Sequence, residues 1–367
     1  MSSRPAHSDG KAERLVLHIG KHKTGSSALQ YHLKRHRRAL MSAGVLYPKP
    51  HQAWLGPVRS AHHALIFALF GTFGLAKDVR ARLGARPEEA SRAMLDQVRA
   101  DLRRHPIDAL VISSEAFFQE FPEEARVHLS ATAKSLARNL HTICYIRHPV
   151  DYAVSALSTM VQRAPDLSLV MIRTVLRRLE VFARVPENTL IVRPFDQASF
   201  DGGSLLTDFC CHALPEAATL LQSSGFKRLN QTLSSDAMDV AQEFGFAVGA
   251  SMSDPVSKRH QVFRALLPRV DQQMLGYRRP TLKPGMHNAL VAHSQGYREI
   301  KERFGCTIEG LDYDLAGQGV QPGLKGSIRV GDLFEVDEER RAKLRSRLAW
   351  LFPTAVSAAS PHLTDQG

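Results

Sequence analysis

Residues 15–36 read LVLHIGKHKTGSSALQYHLKRH, and that order of residues is compatible with few folds. Leu15–Ile19 is a short, mostly apolar run of strand length without alternation, as expected of a strand buried on both faces. A short polar loop follows. Beyond it Ser27–Leu40 has helical spacing, with Leu29 and Leu33 on one face. Gly20 and Gly25 allow tight backbone turns, and Thr24, Ser26 and Ser27 place hydroxyls at the helix start. Backbone N–H groups at a helix N-terminus carry partial positive charge, so a phosphate or sulfate fits there. Lys23 adds a full charge inside the loop. A buried strand feeding a helix through an anion-binding loop predicts an α/β protein with a parallel sheet.

The rest of the chain agrees. Ala109–Ile112, Thr142–Ile146 and Thr189–Val192 are further short apolar runs, and Glu88–Arg104, Asp151–Gln162 and Leu169–Phe182 have helical spacing between them. After about residue 205 the strand signal fades. Leu205–Leu214, Ser235–Phe246, Gln261–Leu266 and Ala289–Phe304 read as helices, Gly317–Gly331 as a loop, and Glu335–Leu351 as a terminal helix. The expected architecture is three-layered: a central, mostly parallel sheet flanked by helices, plus a helical C-terminal part. The expected division is a flexible N-terminus (1–13), an α/β domain (14–310) and a C-terminal loop-and-helix extension (311–367). At 367 residues and 44% hydrophobic composition the chain buries a large core without staples. Cys144, Cys210, Cys211 and Cys306 form no C-x-x-C or finger spacing, which predicts a reducing compartment, buried thiols and no structural zinc. The N-terminus lacks an apolar signal region, and Ala64–Ala76 is too short to span a bilayer, so a cytoplasmic protein is expected.

The phosphate loop of nucleoside triphosphatases reads G-x-x-x-x-G-K-[ST]. Gly20 and Gly25 keep its separation, but Ser26 stands in the lysine's place and the lysine lies earlier, at 23. Kinases and ATPases also hold magnesium with an aspartate at the end of a buried strand. Here Ala109–Ile112 runs into Ser113, Ser114 and Glu115. The segment is P-loop-like, with wiring unsuited to ATP and magnesium. Lys23-Thr24-Gly25-Ser26-Ser27 resembles the K-[TS]-G-[TS]-[TS] loop of the PAPS-dependent sulfotransferase family, bacterial members in particular. In that family the loop holds the 5′-phosphosulfate of 3′-phosphoadenosine 5′-phosphosulfate (PAPS). A second segment, CYIRHPVDYAVSAL, resembles the family's other mark. Arg147 ends a strand, Pro149 suits the first turn of a helix, and Ser155 lies eight residues after Arg147. Tyr152 stands where members often carry a second arginine. GVLYP (44–48), His62-His63, ISSEAFF (112–118), LIVRPFD (190–196), RLNQTLS (228–234) and REIKERFG extend the similarity over about residues 14–310.

The resemblance implies in-line transfer of a sulfuryl group from PAPS, as co-substrate, to a hydroxyl or amine, without a metal. It implies that Lys23, Thr24, Gly25, Ser26 and Ser27 hold the phosphosulfate, and that Arg147 and Ser155 hold the 3′-phosphate. Arg can fork onto two phosphate oxygens while a serine hydroxyl donates to a third. Lys23 would also neutralise charge developing on the bridging oxygen. The acceptor must lose a proton, so a general base is required. Glu115 is the first candidate, because it follows a buried strand at the mouth of the expected site. His62 and His63 come second. The implied catalytic set is Lys23, Glu115 and His63. Arg193 ends a strand and either faces the site or caps a sheet edge, and Arg228 and Asn230 are candidates for a polar loop near the nucleotide. His32 and His36 have no partner carboxylate and make no metal site.

Lys and Arg number 48 against 36 Asp and Glu, a net charge of +12, which favours anionic partners. The basic runs at 34–38 and 340–347 lack the interleaved aromatics of single-strand binders. A small-molecule or glycan acceptor is therefore expected, and nucleic acid is not. Two other readings compete: an ATP-dependent small-molecule kinase of P-loop-like fold, and a non-catalytic basic protein that binds glycan or nucleic acid. Acceptor choice would lie in Lys49–Arg59, Gln162–Ser168 and the helical region after 205. Acceptor identity and oligomeric state are not legible in the sequence.

Overall fold

In the computed structural model, which describes residues 9–20, 23–49, 61–71, 87–169, 172–222, 232–252, 256–319 and 327–353, the apolar runs pair into one five-stranded sheet. Its strands are β1 (Ala12–His18), β2 (Val45–Leu46), β3 (Ala109–Ser113), β4 (Ala137–Ile146) and β5 (Asn188–Pro194), in the order β2-β3-β1-β4-β5. All four pairings are parallel, with Leu17 opposite Ile112 on one side and Thr142 on the other. β1 is central, and Leu15–Ile19 is fully buried, which is why it reads as a run without alternation. β2 is two residues at the sheet edge, too short to leave a pattern in the sequence.

Successive side chains point to opposite faces of the sheet. Val16, Val111, Ile143 and Tyr145 share one face. They are buried with Leu29 and Leu33 of helix α1 (Ser26–Arg35), Leu40 of α2 (Arg37–Ser42), and Phe209 and Cys210 of helix Leu205–Ala213. Leu17, Ile112 and Cys144, of the other parity, are equally buried, and helices Glu123–Leu136 and Val175–Ala183 pack against β4 and β5. The α/β class expected from the sequence is the one observed. Several boundaries differ. The helix expected over Ser27–Leu40 breaks at His36 into α1 and α2, and Ala289–Phe304 is two helices, Met286–His293 and Tyr297–Phe304. Helix Glu123–Leu136 went unread because its buried stripe, Ala125, Leu129, Ala133 and Leu136, is half alanine and carries little hydropathy contrast.

The chain forms two compact units. One comprises residues 1–156, 169–230 and 287–325 and contains the sheet. The other comprises 157–168, 231–286 and 326–367 and is built on helices Ser235–Ala247, Lys258–Gln273 and Glu338–Arg347. In this second unit Phe244 stacks on Phe263 with ring centroids 3.9 Å apart. Arg340 is buried and directs its guanidinium to Leu275 O, Ser234 Oγ, Asp236 Oδ2, and both the backbone and side-chain oxygens of Asp271. Arg341 pairs with Asp239, Lys343 with Glu339, and Arg345 with Glu243. Much of the C-terminal basic run is thus engaged by carboxylates of its own unit. Cys144, Cys210 and Cys306 are buried thiols, whereas Cys211 is exposed, contrary to expectation. Among the described residues no helix is long and apolar enough to cross a membrane.

Candidate active site

The sheet order creates the site. From β1 the chain leaves toward β2 and β3; from the adjacent β4 it leaves toward β5. Neighbouring strands that send the chain in opposite directions leave a crevice at their carboxyl ends, where ligands gather in open α/β sheets. The loop with Lys23 follows β1, Glu115 follows β3 and Arg147 follows β4. Three residues far apart in sequence therefore meet at one edge.

Two glycines shape the loop. A Cβ on Gly20 would lie 2.2 Å from Ser26 Oγ and 3.3 Å from Glu115 Cγ. Gly25 has φ +74°, and a Cβ there would lie 2.5 Å from Leu205 Cδ2 and 2.9 Å from Phe195 Cε2. Gly25 O accepts the N–H groups of Ala28 and Leu29, which starts α1. Ser26 Oγ is buried with no hydrogen-bond partner among the described residues. Lys23 also adopts a left-handed backbone, φ +71°, which is unfavourable for a side chain with a Cβ. Gly25→Ala is expected to cost about 2–4 kcal/mol, from the left-handed backbone plus overpacking against Leu205 and Phe195. Chemical denaturation of the two proteins measures it.

Burial holds the Lys23 ammonium below its ordinary pKa; the Glu115 carboxylate opposes this shift and Arg147 adds to it. The Lys23 charge thus senses both other members of the edge. Glu115 opens a short 3₁₀ turn, Glu115–Phe117, capped by Ser114 Oγ accepting Ala116 N–H at 3.1 Å. Its carboxyl is buried, and burial pushes its pKa up to about 7 against the opposing pull of its own backbone N–H and of Lys23. His63 Nε2 lies 3.7 Å from Glu115 Oε2, and His63 Nδ1 lies 2.5 Å from Ser114 Oγ.

The adjacent histidines have different surroundings. His62 is fully buried; its Nδ1 accepts the Ser113 N–H at 3.0 Å and its Nε2–H donates to Pro48 O at 3.0 Å. Burial lowers its pKa to about 4, so it is a neutral tie between the segment just after β2 and the end of β3. Sequence reasoning missed a buried polar set beside it. Ser113 Oγ meets His18 Nδ1 at 2.7 Å and accepts from Gln30 Nε2 at 3.1 Å. The available signal was polar residues on otherwise apolar surfaces: His18 closing β1, and Gln30 on the buried face of α1.

Arg147 is half-buried, with its Nε 3.8 Å from Asp151 Oδ2 and its guanidinium 5.8 Å from the Phe195 ring centroid. Ser155 is half-buried two turns along helix Pro149–Met160. Tyr152, at the position of the family's second arginine, is buried. A cavity of about 200 Å³ opens at the ends of β4 and β5, lined by Ile146, His148, Pro194, Phe195 and Ile308 together with the carboxylates Asp151, Asp196 and Glu309. Arg193 is turned away, pairing with the buried Asp208 and donating to Ser199 O. Asp201, Asp208 and His212 cluster there, but Asp208 is also held by Tyr145 OH at 2.8 Å. Arg228, Asn230 and residues 50–59 lie outside the described residues. Gln162–Ser168 belongs to the second unit, where Gln162 O accepts from His260 and Pro165 O from Gln242. The basic run 34–38 closes α1 and opens α2, and Arg37 within it acts electrostatically on the buried His62 and Tyr47.

No protein-family model and no curated protein matches this chain. Two solved structures are similar to it. One is the sulfotransferase domain from the Synechococcus PCC 7002 olefin synthase, 16% identical, with a TM-score of 0.33, covering 75% of this chain and 100% of that one. The other is the sulfotransferase domain from the curacin biosynthetic pathway, 12% identical, with a TM-score of 0.31, covering 81% of this chain and 99% of that one. At such scores neither likeness carries weight, and the fold stands on its sheet order and register.

Proposed function

We propose that this chain is a PAPS-dependent sulfotransferase acting on a hydroxyl or amine of a small molecule or glycan. The observation that carries this reading is the meeting of Lys23, Glu115 and Arg147 at one strand edge, with both partners acting on the Lys23 charge. The loop also fits an anion. Ser26 Oγ is an orphaned buried hydroxyl at the start of a ten-residue helix, and only a glycine at position 20 avoids overlapping it.

When bound, PAPS supplies the sulfuryl group and departs as adenosine 3′,5′-bisphosphate. Lys23 and the first N–H groups of α1 neutralise the phosphosulfate oxygens. Arg147 and Ser155 take the 3′-phosphate, and the cavity beside Phe195 has room for the base. Glu115 receives the acceptor's proton. A carboxyl whose pKa is about 7 is suited to this task near neutral pH.

The test is a thermal-shift titration with adenosine 3′,5′-bisphosphate, magnesium-ATP and adenosine 5′-phosphosulfate in parallel. A ligand that binds only the native state at a hundredfold its Kd stabilises by about 2.7 kcal/mol. The expected result is a rise of several degrees with the bisphosphate, without magnesium, and its loss in Arg147→Ala. A shift with magnesium-ATP alone would establish the kinase instead. No shift with any of them would leave the basic binding protein.

A further inference from the structure

We propose that Ser114 is a positioning residue that fixes the tautomer of His63 and so leaves Glu115, not His63, to take the acceptor's proton. This rests on reading the strand edge as a transfer site. The residue itself is identified from hydrogen bonding alone.

Ser114 Oγ already accepts the Ala116 N–H. A hydroxyl has one proton to donate, and the group it faces at 2.5 Å is His63 Nδ1. If the hydroxyl donates to Nδ1, both groups are satisfied, and the neutral imidazole carries its proton on Nε2. That N–H faces Glu115 Oε2 at 3.7 Å. With Glu115 ionised, the opposite tautomer would put a lone pair toward the carboxylate and leave the Ser114 proton without this acceptor. The one basic nitrogen of neutral His63 is therefore occupied by Ser114.

The serine cannot easily turn away, because the chain around it is held from several sides. Ser114 N–H donates to His18 O at 3.1 Å. Ser113 accepts the His62 N–H at its carbonyl, donates its own N–H to His62 Nδ1, and binds His18 and Gln30 through its hydroxyl. Ser113, Ser114, His18, His62 and Gln30 are all fully buried. The site thus contains a polar hub that joins β1, β3, α1 and the turn at His63, immediately before the base.

The consequence for the reaction is a division of roles. The bond from sulfur to the acceptor oxygen forms as the bond from sulfur to the bisphosphate breaks. The acceptor's proton passes to Glu115, while the His63 N–H stays on its ring, facing the carboxylate.

Nitrogen-15 NMR of the His63 ring tests this in the full chain, without nucleotide or acceptor, above the pH at which the ring is neutral. His63→Gln assigns the signals. The expected result is a tenfold or greater excess of the Nε2–H tautomer in the wild type, a near-even mixture in Ser114→Ala, and return of the excess in Ser114→Thr. A wild-type ring protonated on Nδ1, or an unchanged ring in Ser114→Ala, overturns the proposal. If Ser114→Ala does not fold, the wild-type tautomer and the Thr variant decide. Because no nucleotide is present, failure here is separate from failure of the bisphosphate to bind, which would overturn the sulfotransferase reading.

Discussion

Lys23→Ala is expected to lower sulfuryl transfer by about 10³-fold, the loss typical of removing one preorganised group that stabilises transition-state charge. The effect should fall on turnover. Lys23 is held by a left-handed backbone between Glu115 and Arg147, with its charge partly desolvated, and in such a place a charge acts more strongly than in water. The helix start and Arg147 remain in the variant, so affinity for adenosine 3′,5′-bisphosphate should fall by no more than about tenfold. Labelled transfer from PAPS into whichever acceptor the wild type modifies gives the first quantity, and calorimetric titration of the bisphosphate gives the second. Equal losses in both would make Lys23 a binding residue only.

Glu115→Gln is expected to abolish most activity and to make the protein more stable. Removing a general base typically costs 10²–10⁴-fold in rate. Stability should move the other way because the Glu115 carboxyl is buried and its pKa is raised from 4.5 to about 7. Below pH 4.5 the group is protonated in both folded and unfolded states, and the substitution changes little. As pH rises from 4.5 toward 7, the unfolded chain releases the proton while the folded chain keeps it, so the wild type loses stability progressively. Above pH 7 the folded protein must hold a buried carboxylate, and the deficit levels off at about 3 kcal/mol. Glutamine avoids that cost. The difference in unfolding free energy between variant and wild type should therefore be near zero at pH 4.5 and maximal above pH 7. A difference that does not change with pH would mean that the carboxyl is solvated.

Much of this site was legible before any tertiary contact was known. The loop from Gly20 to Ser27 is a local structure: two glycines, hydroxyls and a lysine between a strand and a helix specify it through nearest neighbours. Arg147 was legible as a charged residue directly after an apolar run, and Glu115 as one two serines beyond another, since the end of a buried strand is where a parallel sheet exposes its carboxyl edge. The polar hub was not legible. Ser113, Gln30 and His18 acquire meaning only because β1, β3 and α1 bring them within hydrogen-bond distance. The adjacent histidines show the same limit. Nothing in the sequence separates His62, bound to backbone on both nitrogens, from His63, which faces Glu115.

The sequence by itself determined four of the five strands, where an anion-binding loop begins and which charged residues lie near the ends of buried strands, because hydropathy runs and backbone preferences act over a few residues. Tertiary structure alone decided that Lys23, Glu115 and Arg147 share one edge, that Arg193 turns to Asp208, and that Arg340 is a buried structural charge. Those outcomes depend on strand order, burial and the choice of hydrogen-bond partners, which are set by residues distant in the chain.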